Sequence, residues 1–396
     1  MKKAAALLAG VLISAGAARA QEPAAPAIDF GRGVGTHALP ATPDTVAPPA
    51  APAAPASGPS AAPAPAAPAA QPGSPAQSAE ALACANSDGK AAPAQRDDAC
   101  TRLIDARKWT GKEISWAYSN RCSARVRLNQ LDRALADCSE AIDQDPDLAQ
   151  AYQLRAEIHR TRDNRAKAIE DYDKAAALGA RNAALFAGRG ALRLLDGDAD
   201  KALADFNQEV AIAGGAEHAW MDRGGAYLGL GDDAHAEQDF GKATELAPND
   251  AQAWLNRGVA ALGAGDKAKA GDFFAEALKR DPAQIYAALW RFIARDGSEP
   301  AKAELQAYAE KASGKDWPFA VTQLYLGRAE VAETLGAAKT DDQQCEARFY
   351  IARHQLMKGE APEAAIGLKR AVESCPKNFI EYFRAVAELK RLEAAK

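Results

Sequence analysis

Apolar and small residues recur along 115–284 at a fixed interval of 34 residues, separated by polar runs. With 115–148 as the first unit, the fourth position holds Tyr118, Tyr152, Phe186, Trp220 and Trp254 in successive units. The eighth holds Cys122, Ala156, Gly190, Gly224 and Gly258, and the twentieth Ala134, Ala168, Ala202, Ala236 and Ala270. Cys138, Tyr172, Phe206, Phe240 and Phe274 occupy the twenty-fourth. The spacing predicts two helices per unit, A and B. Small residues let them approach closely, and the aromatic rings fill the remaining volume.

Punctuation between the helices follows the same period. Asn129, Asp163, Gly197, Gly231 and Gly265 fall where helix A must stop, and Gly and Asn tolerate the left-handed conformation needed there. Gln130, Asn164, Asp198, Asp232 and Asp266 come next and are mostly good N-caps for helix B. Pro146, Pro248 and Pro282 mark the end of helix B. This period and residue set resemble the tetratricopeptide (TPR) repeat, which implies an all-α right-handed solenoid that binds proteins and rarely does chemistry.

Outside the five units the pattern changes. Residues 81–114 read as N-terminal capping helices, with Asp97 to Arg107 as a helix led by the segment around Cys84. The pattern lapses over 285–344 into degenerate helical repeats. It returns at 345–378, where Ala352, Gly359, Ala364, Leu368, Ala371 and Pro376 are in register. A capping helix over 379–396 carries Ile380, Phe383, Val386 and Leu389 on one face and is expected to seal the stack.

The first fifth of the chain is of another kind. Lys2 and Lys3, an apolar run through Leu7, Leu8, Val11, Leu12 and Ile13, and Ala18-Arg19-Ala20 read as an export signal over 1–20. Residues 21–80 form an Ala/Pro tract with too little apolar surface for a core, hence a disordered linker. Its one interruption is Ile28-Asp29-Phe30 with Gly31, Gly33 and Gly35, read as linker or a short docking peptide. The first cysteine is Cys84, so no lipidation site follows the apolar run. Periplasmic export without a lipid anchor is the expectation. A net charge of −5 without a basic run disfavours nucleic-acid partners.

The chain carries no metal, cofactor or nucleophile signature. His37, His159, His218, His235 and His354 have neither zinc spacing nor a catalytic partner motif, and His218 and His235 read as solvated side chains. Arg121, Arg155, Arg189, Arg223 and Arg257 recur at the seventh position, and Asp137, Asp171, Asp205 and Asp239 at the twenty-third. Opposite signs at a fixed offset predict a structural ion pair in preference to an anion-binding ladder. Six cysteines in an exported chain suggest disulfides. Cys345 and Cys375 lie symmetrically about Glu360 in a helical hairpin, and Cys122 and Cys138 about Gln130. Cys84 and Cys100 would tie the cap, while Cys122 and Cys138 also suit free core thiols.

The TPR resemblance places positions 2, 5, 9, 12 and 13 of helix A on a concave groove. In the first two units these are Trp116, Ser119, Ser123, Val126 and Arg127, then Gln150, Gln153, Glu157, Arg160 and Thr161. The next three present an apolar stripe of Ala184, Ala187, Ala191, Leu194, Leu195, Met221, Leu228, Leu255, Val259 and Leu262. Such a stripe needs a cover, so a partner's helix or extended peptide is expected on Ala187 to Leu262. The alternative is a self-assembling, dimeric envelope protein whose groove is covered by its own chain.

The C-terminal quarter carries a second likeness. Trp317-Pro318, Leu324-Tyr325-Leu326-Gly327, Phe349-Tyr350-Ile351-Ala352, Asn378-Phe379-Ile380-Glu381-Tyr382 and Ala387-Glu388-Leu389 are similar to the Nlp-type TPR adaptor lipoproteins of the Gram-negative outer membrane. The resemblance implies an all-helical periplasmic scaffold, a homodimer, and partners such as a peptidoglycan hydrolase or an envelope protease. That family's lipidated cysteine is missing here.

Overall fold

The computed structural model describes residues 78–86, 89–311 and 316–394. The export signal, the island at 28–35, His37 and residues 21–77 of the expected linker lie outside the described residues. Residues 78–80 belong to the first helix and its cap, so the folded part begins slightly earlier than the composition suggests. Ser78 caps that helix by accepting the Ala81 amide.

Nineteen helices follow one another among the described residues. The first two are α1 (Ala79–Ala85) and α2 (Pro93–Asp105). Five hairpins come next: α3 (Lys112–Arg127) with α4 (Leu131–Gln144), α5 (Ala149–Thr161) with α6 (Arg165–Ala177), and α7 (Ala183–Leu195) with α8 (Ala199–Ala213). Then come α9 (Glu217–Leu230) with α10 (Asp233–Leu246) and α11 (Ala251–Gly263) with α12 (Lys267–Arg280). The lapse in the pattern is filled by α13 (Ile285–Ala294), α14 (Glu299–Lys311), α15 (Phe319–Tyr325) and α16 (Val331–Ala337). The chain ends in α17 (Asp341–Met357), α18 (Ala361–Ser374) and α19 (Ile380–Ala394).

The repeat positions act as their chemistry dictates. A Cβ on Gly190, Gly224 or Gly258 would lie 2.7, 2.7 or 2.5 Å from the ring of Phe206, Phe240 or Phe274. These rings therefore pack directly onto bare backbone, which only glycine offers. Asn129, Asp163, Gly197, Gly231 and Gly265 all have positive φ, between 55° and 92°. Asp198, Asp232 and Asp266 cap helix B through their side chains, whereas Gln130 and Asn164 make no such bond.

Three disulfides, Cys84–Cys100, Cys122–Cys138 and Cys345–Cys375, span Cα separations of 4.8, 5.4 and 4.9 Å. Cys122 and Cys138 stand at the eighth and twenty-fourth positions, so in the first hairpin a covalent bond replaces the Gly–Phe contact of later ones. Cys345–Cys375 joins α17 to the end of α18 across a separation of 30 residues. Replacing both cysteines with serine is expected to cost roughly 2–4 kcal/mol, by freeing that loop in the unfolded chain. Urea midpoints of the pair of variants check this, and an unchanged midpoint would contradict it.

Candidate partner-binding groove

The apolar stripe is not open. Ala187, Leu194, Met221, Leu228, Leu255 and Val259 are buried, and Ala191, Leu195 and Leu262 are half-buried. The expectation of an exposed surface at these nine residues is therefore corrected. Leu194, Met221, Leu228, Leu255 and Val259 share one core with Phe349, Tyr350, Phe379, Ile380 and Phe383 of the C-terminal segment. An uncovered stripe would leave apolar area in water at about 25 cal/mol per Å², and the chain supplies its own cover.

α19 makes that cover specific. The Phe383 ring sits 3.4 Å from where a Cβ on Gly229 would stand, at the thirteenth position of the fourth unit. One unit on, a Cβ at Gly263 would collide with the Arg384 guanidinium. Arg384 itself donates to both oxygens of Asp233, at 2.6 and 3.1 Å. Just before the helix, Lys377 Nζ donates to the Asp196 carbonyl at 2.9 Å. The glycines at the thirteenth position of the fourth and fifth units, which the sequence reading did not single out, are thus where the last helix lies close.

The arginine ladder is structural. Arg121, Arg155, Arg189 and Arg223 each grip an aspartate of helix B, Asp137, Asp171, Asp205 and Asp239, with two bonds of 2.6–3.1 Å. All four carboxylates are buried. Each of these guanidinium groups, and that of Arg257, also lies 4.9–5.8 Å from the centre of its unit's fourth-position ring. Ring, guanidinium and carboxylate form one repeated stack. In the fifth unit Arg257 takes Glu237 instead, at 2.8 Å.

A buried polar cluster holds the C-terminal helices together and was missed from the sequence. Tyr286 of α13 and Trp317 donate to Glu346 Oε2 of α17 at 2.7 and 2.9 Å. Tyr350 donates to Glu381 Oε1 of α19 at 3.1 Å, and Glu381 Oε2 has no partner among the described residues. Burial pushes Glu346 up to about 7. Glu381 is pushed well above the usual carboxylate range by burial and then by the nearby Glu346 charge. The available signal was positional, since Tyr286 and Glu346 both occupy the second, groove-facing place of their units.

His218 and His235 are exposed, while His159 and His354 are buried. No cluster of three or more metal-ligating side chains occurs among the described residues. None of the described helices is long and apolar enough to cross a membrane.

Among known families, the profile described as tetratricopeptide repeat matches residues 221–285. A DnaJ homolog subfamily C member 7 homolog of Dictyostelium discoideum is 39% identical over 71 residues. That match spans 18% of this chain and only 13% of the relative's length. Among solved structures, YrrB, described as a TPR protein with an unusual peptide-binding site, is 25% identical with a TM-score of 0.46. The alignment covers 48% of this chain and 96% of YrrB. A TPR protein of Parabacteroides merdae is 18% identical, TM-score 0.47, over 70% of this chain and 98% of its own. The hairpins described above, with the matched profile inside them, make this an all-α solenoid of the TPR type.

Proposed function

We propose that this chain is an exported, periplasmic scaffold that holds a partner protein's helix or extended segment against its hairpins. The observation that carries the reading is α19. A helix seated by an aromatic anchor and a charge pair is the mode by which grooves take partner helices, and here the fold uses it on itself. The disulfides support an oxidising compartment, and the 317–392 resemblance supports an envelope role that includes presenting a hydrolase to a protease.

With the distal stripe filled, the partner is assigned to the first two hairpins, where Arg127 and Thr161 are exposed and Val126 and Arg160 half-buried on groove positions. The covered stripe also favours the second reading, a structural protein that self-assembles. One experiment separates them: photo-crosslinkers placed at Arg127 and Thr161 in the producing cell, with Ile366 of α18 as control. An adduct at the groove positions only, with a different envelope protein, is expected. An adduct of two copies would select self-assembly. No adduct above the Ile366 control, or an intact mass that retains residues 1–20, would overturn the scaffold or the export reading respectively.

A further inference from the structure

The sixth 34-residue unit, 285–318, breaks the repeat at the places where the others build their stack. Its seventh position still holds an arginine, Arg291. The fourth position, an aromatic ring in the five preceding units, is Ala288, and the twenty-third, an aspartate in the first four, is Ala307. The two small positions, eight and twenty, carry Phe292 and Glu304. Bulk where α13 and α14 should touch, and alanine where ring and carboxylate should fill, leave a gap. A cavity of about 330 Å³ opens there, with Ala288, Arg291, Phe292, Ala307 and Tyr308 on its walls and Lys311 at the C-terminal end of α14 also lining it.

Arg291 is left incomplete. Its Nη1 lies 2.9 Å from Glu304, which Arg295 also binds at 2.6 Å. Its Nε is buried and has no acceptor among the described residues, whereas the same atom of Arg121, Arg155, Arg189 and Arg223 bonds an aspartate. A buried donor without an acceptor is costly, and here two arginines share one carboxylate while Lys311 lines the same cavity. An apolar cavity of even about 150 Å³ accepts a benzene ring, so this one has room for a ring and a carboxylate together.

We propose that the α13–α14 cavity is a binding site for a carboxylate borne on an aromatic body. The ligand's carboxylate pairs with the Arg291 guanidinium, which has no helix-B aspartate, and its ring fills the space vacated at Ala288. The site is separate from the partner groove and does not depend on how that groove is used.

Calorimetric titration of the full chain with 3-phenylpropanoate is expected to give a Kd on the order of 0.1–1 mM. The uncharged 3-phenylpropanamide is expected to bind at least about tenfold more weakly. A307D, which returns the repeat's own carboxylate beneath Arg291, is expected to abolish binding without lowering the melting temperature. R291Q serves as the complementary loss. Gly-Gly-Phe with a free C-terminus distinguishes the source. Binding of the peptide as well as the acid indicates a chain terminus, and binding of the acid alone a small free acid; either supports the site. No heat from either at millimolar concentration, equal binding of acid and amide, or undiminished binding by A307D would overturn it.

Discussion

Leu228→Glu is expected to destabilise the folded chain by several kcal/mol, an effect on folding before any effect on partner capture. The side chain is 1% exposed and belongs to the core shared with α19. Removing a buried leucine costs about 2–5 kcal/mol by itself, and the new carboxylate would be desolvated without a partner. Read from the sequence, this position is a groove residue at which a charge costs little until a partner covers it. The cover supplied by α19 reverses that expectation. Phe383→Ala, on the opposite side of the same contact, is expected to cost about 3–5 kcal/mol. The two changes should be markedly non-additive when combined, since they remove one interface. Urea unfolding followed by circular dichroism measures all three, and near-native stability of Leu228→Glu would mean that α19 does not lie on the groove in solution.

Raising the pH from 7 to about 9 is expected to loosen the C-terminal helices by an amount on the order of a few kcal/mol. Glu381 is held neutral well above its ordinary range, and burial pushes its neighbour Glu346 up to about 7. A carboxyl group with a raised folded pKa favours the folded chain fully below its ordinary value of 4.5. That contribution is lost as pH climbs through the folded value. Buried His354, pushed down to about 4, acts in the opposite sense, but only below its ordinary value of 6.5, and so drops out of the alkaline window. The groups facing the Glu346–Glu381 pair are Tyr286, Tyr350 and Trp317, which donate hydrogen bonds and stay uncharged over this range. Glu381→Gln keeps an acceptor for Tyr350 and cannot ionise. Its urea midpoint should therefore fall less between pH 7 and 9 than that of the unaltered chain. Parallel declines would assign the pH dependence elsewhere.

The hairpins were legible because each is decided within 34 residues. A glycine at position eight and a phenylalanine at twenty-four meet across one turn, and the turn itself demands a residue that tolerates positive φ. The same locality made the Arg–Asp pairs readable, with a constant separation of 16 residues. Cys345 and Cys375 belonged to that class as well, being two ends of one hairpin. Where the repeat lapsed, the sequence announced only that 285–344 was irregular. It took the packing of α13 against α14 to turn Ala288 and Ala307 from two unremarkable alanines into the walls of a cavity.

The fate of the groove was of the other kind. The sequence by itself determined that third-, fourth- and fifth-unit helices carry an apolar stripe, because apolar residues at groove positions are a local, periodic fact. It left open whether a partner, a second copy or the chain itself covers that stripe. Only the tertiary structure decided this, through contacts such as Arg384 with Asp233, whose partners stand 151 residues apart. The physical reason is that burial is indifferent to where in the chain the covering surface comes from. The hydrophobic effect rewards the removal of area from water without direction or address, and no periodicity along the chain records which distant helix will supply it.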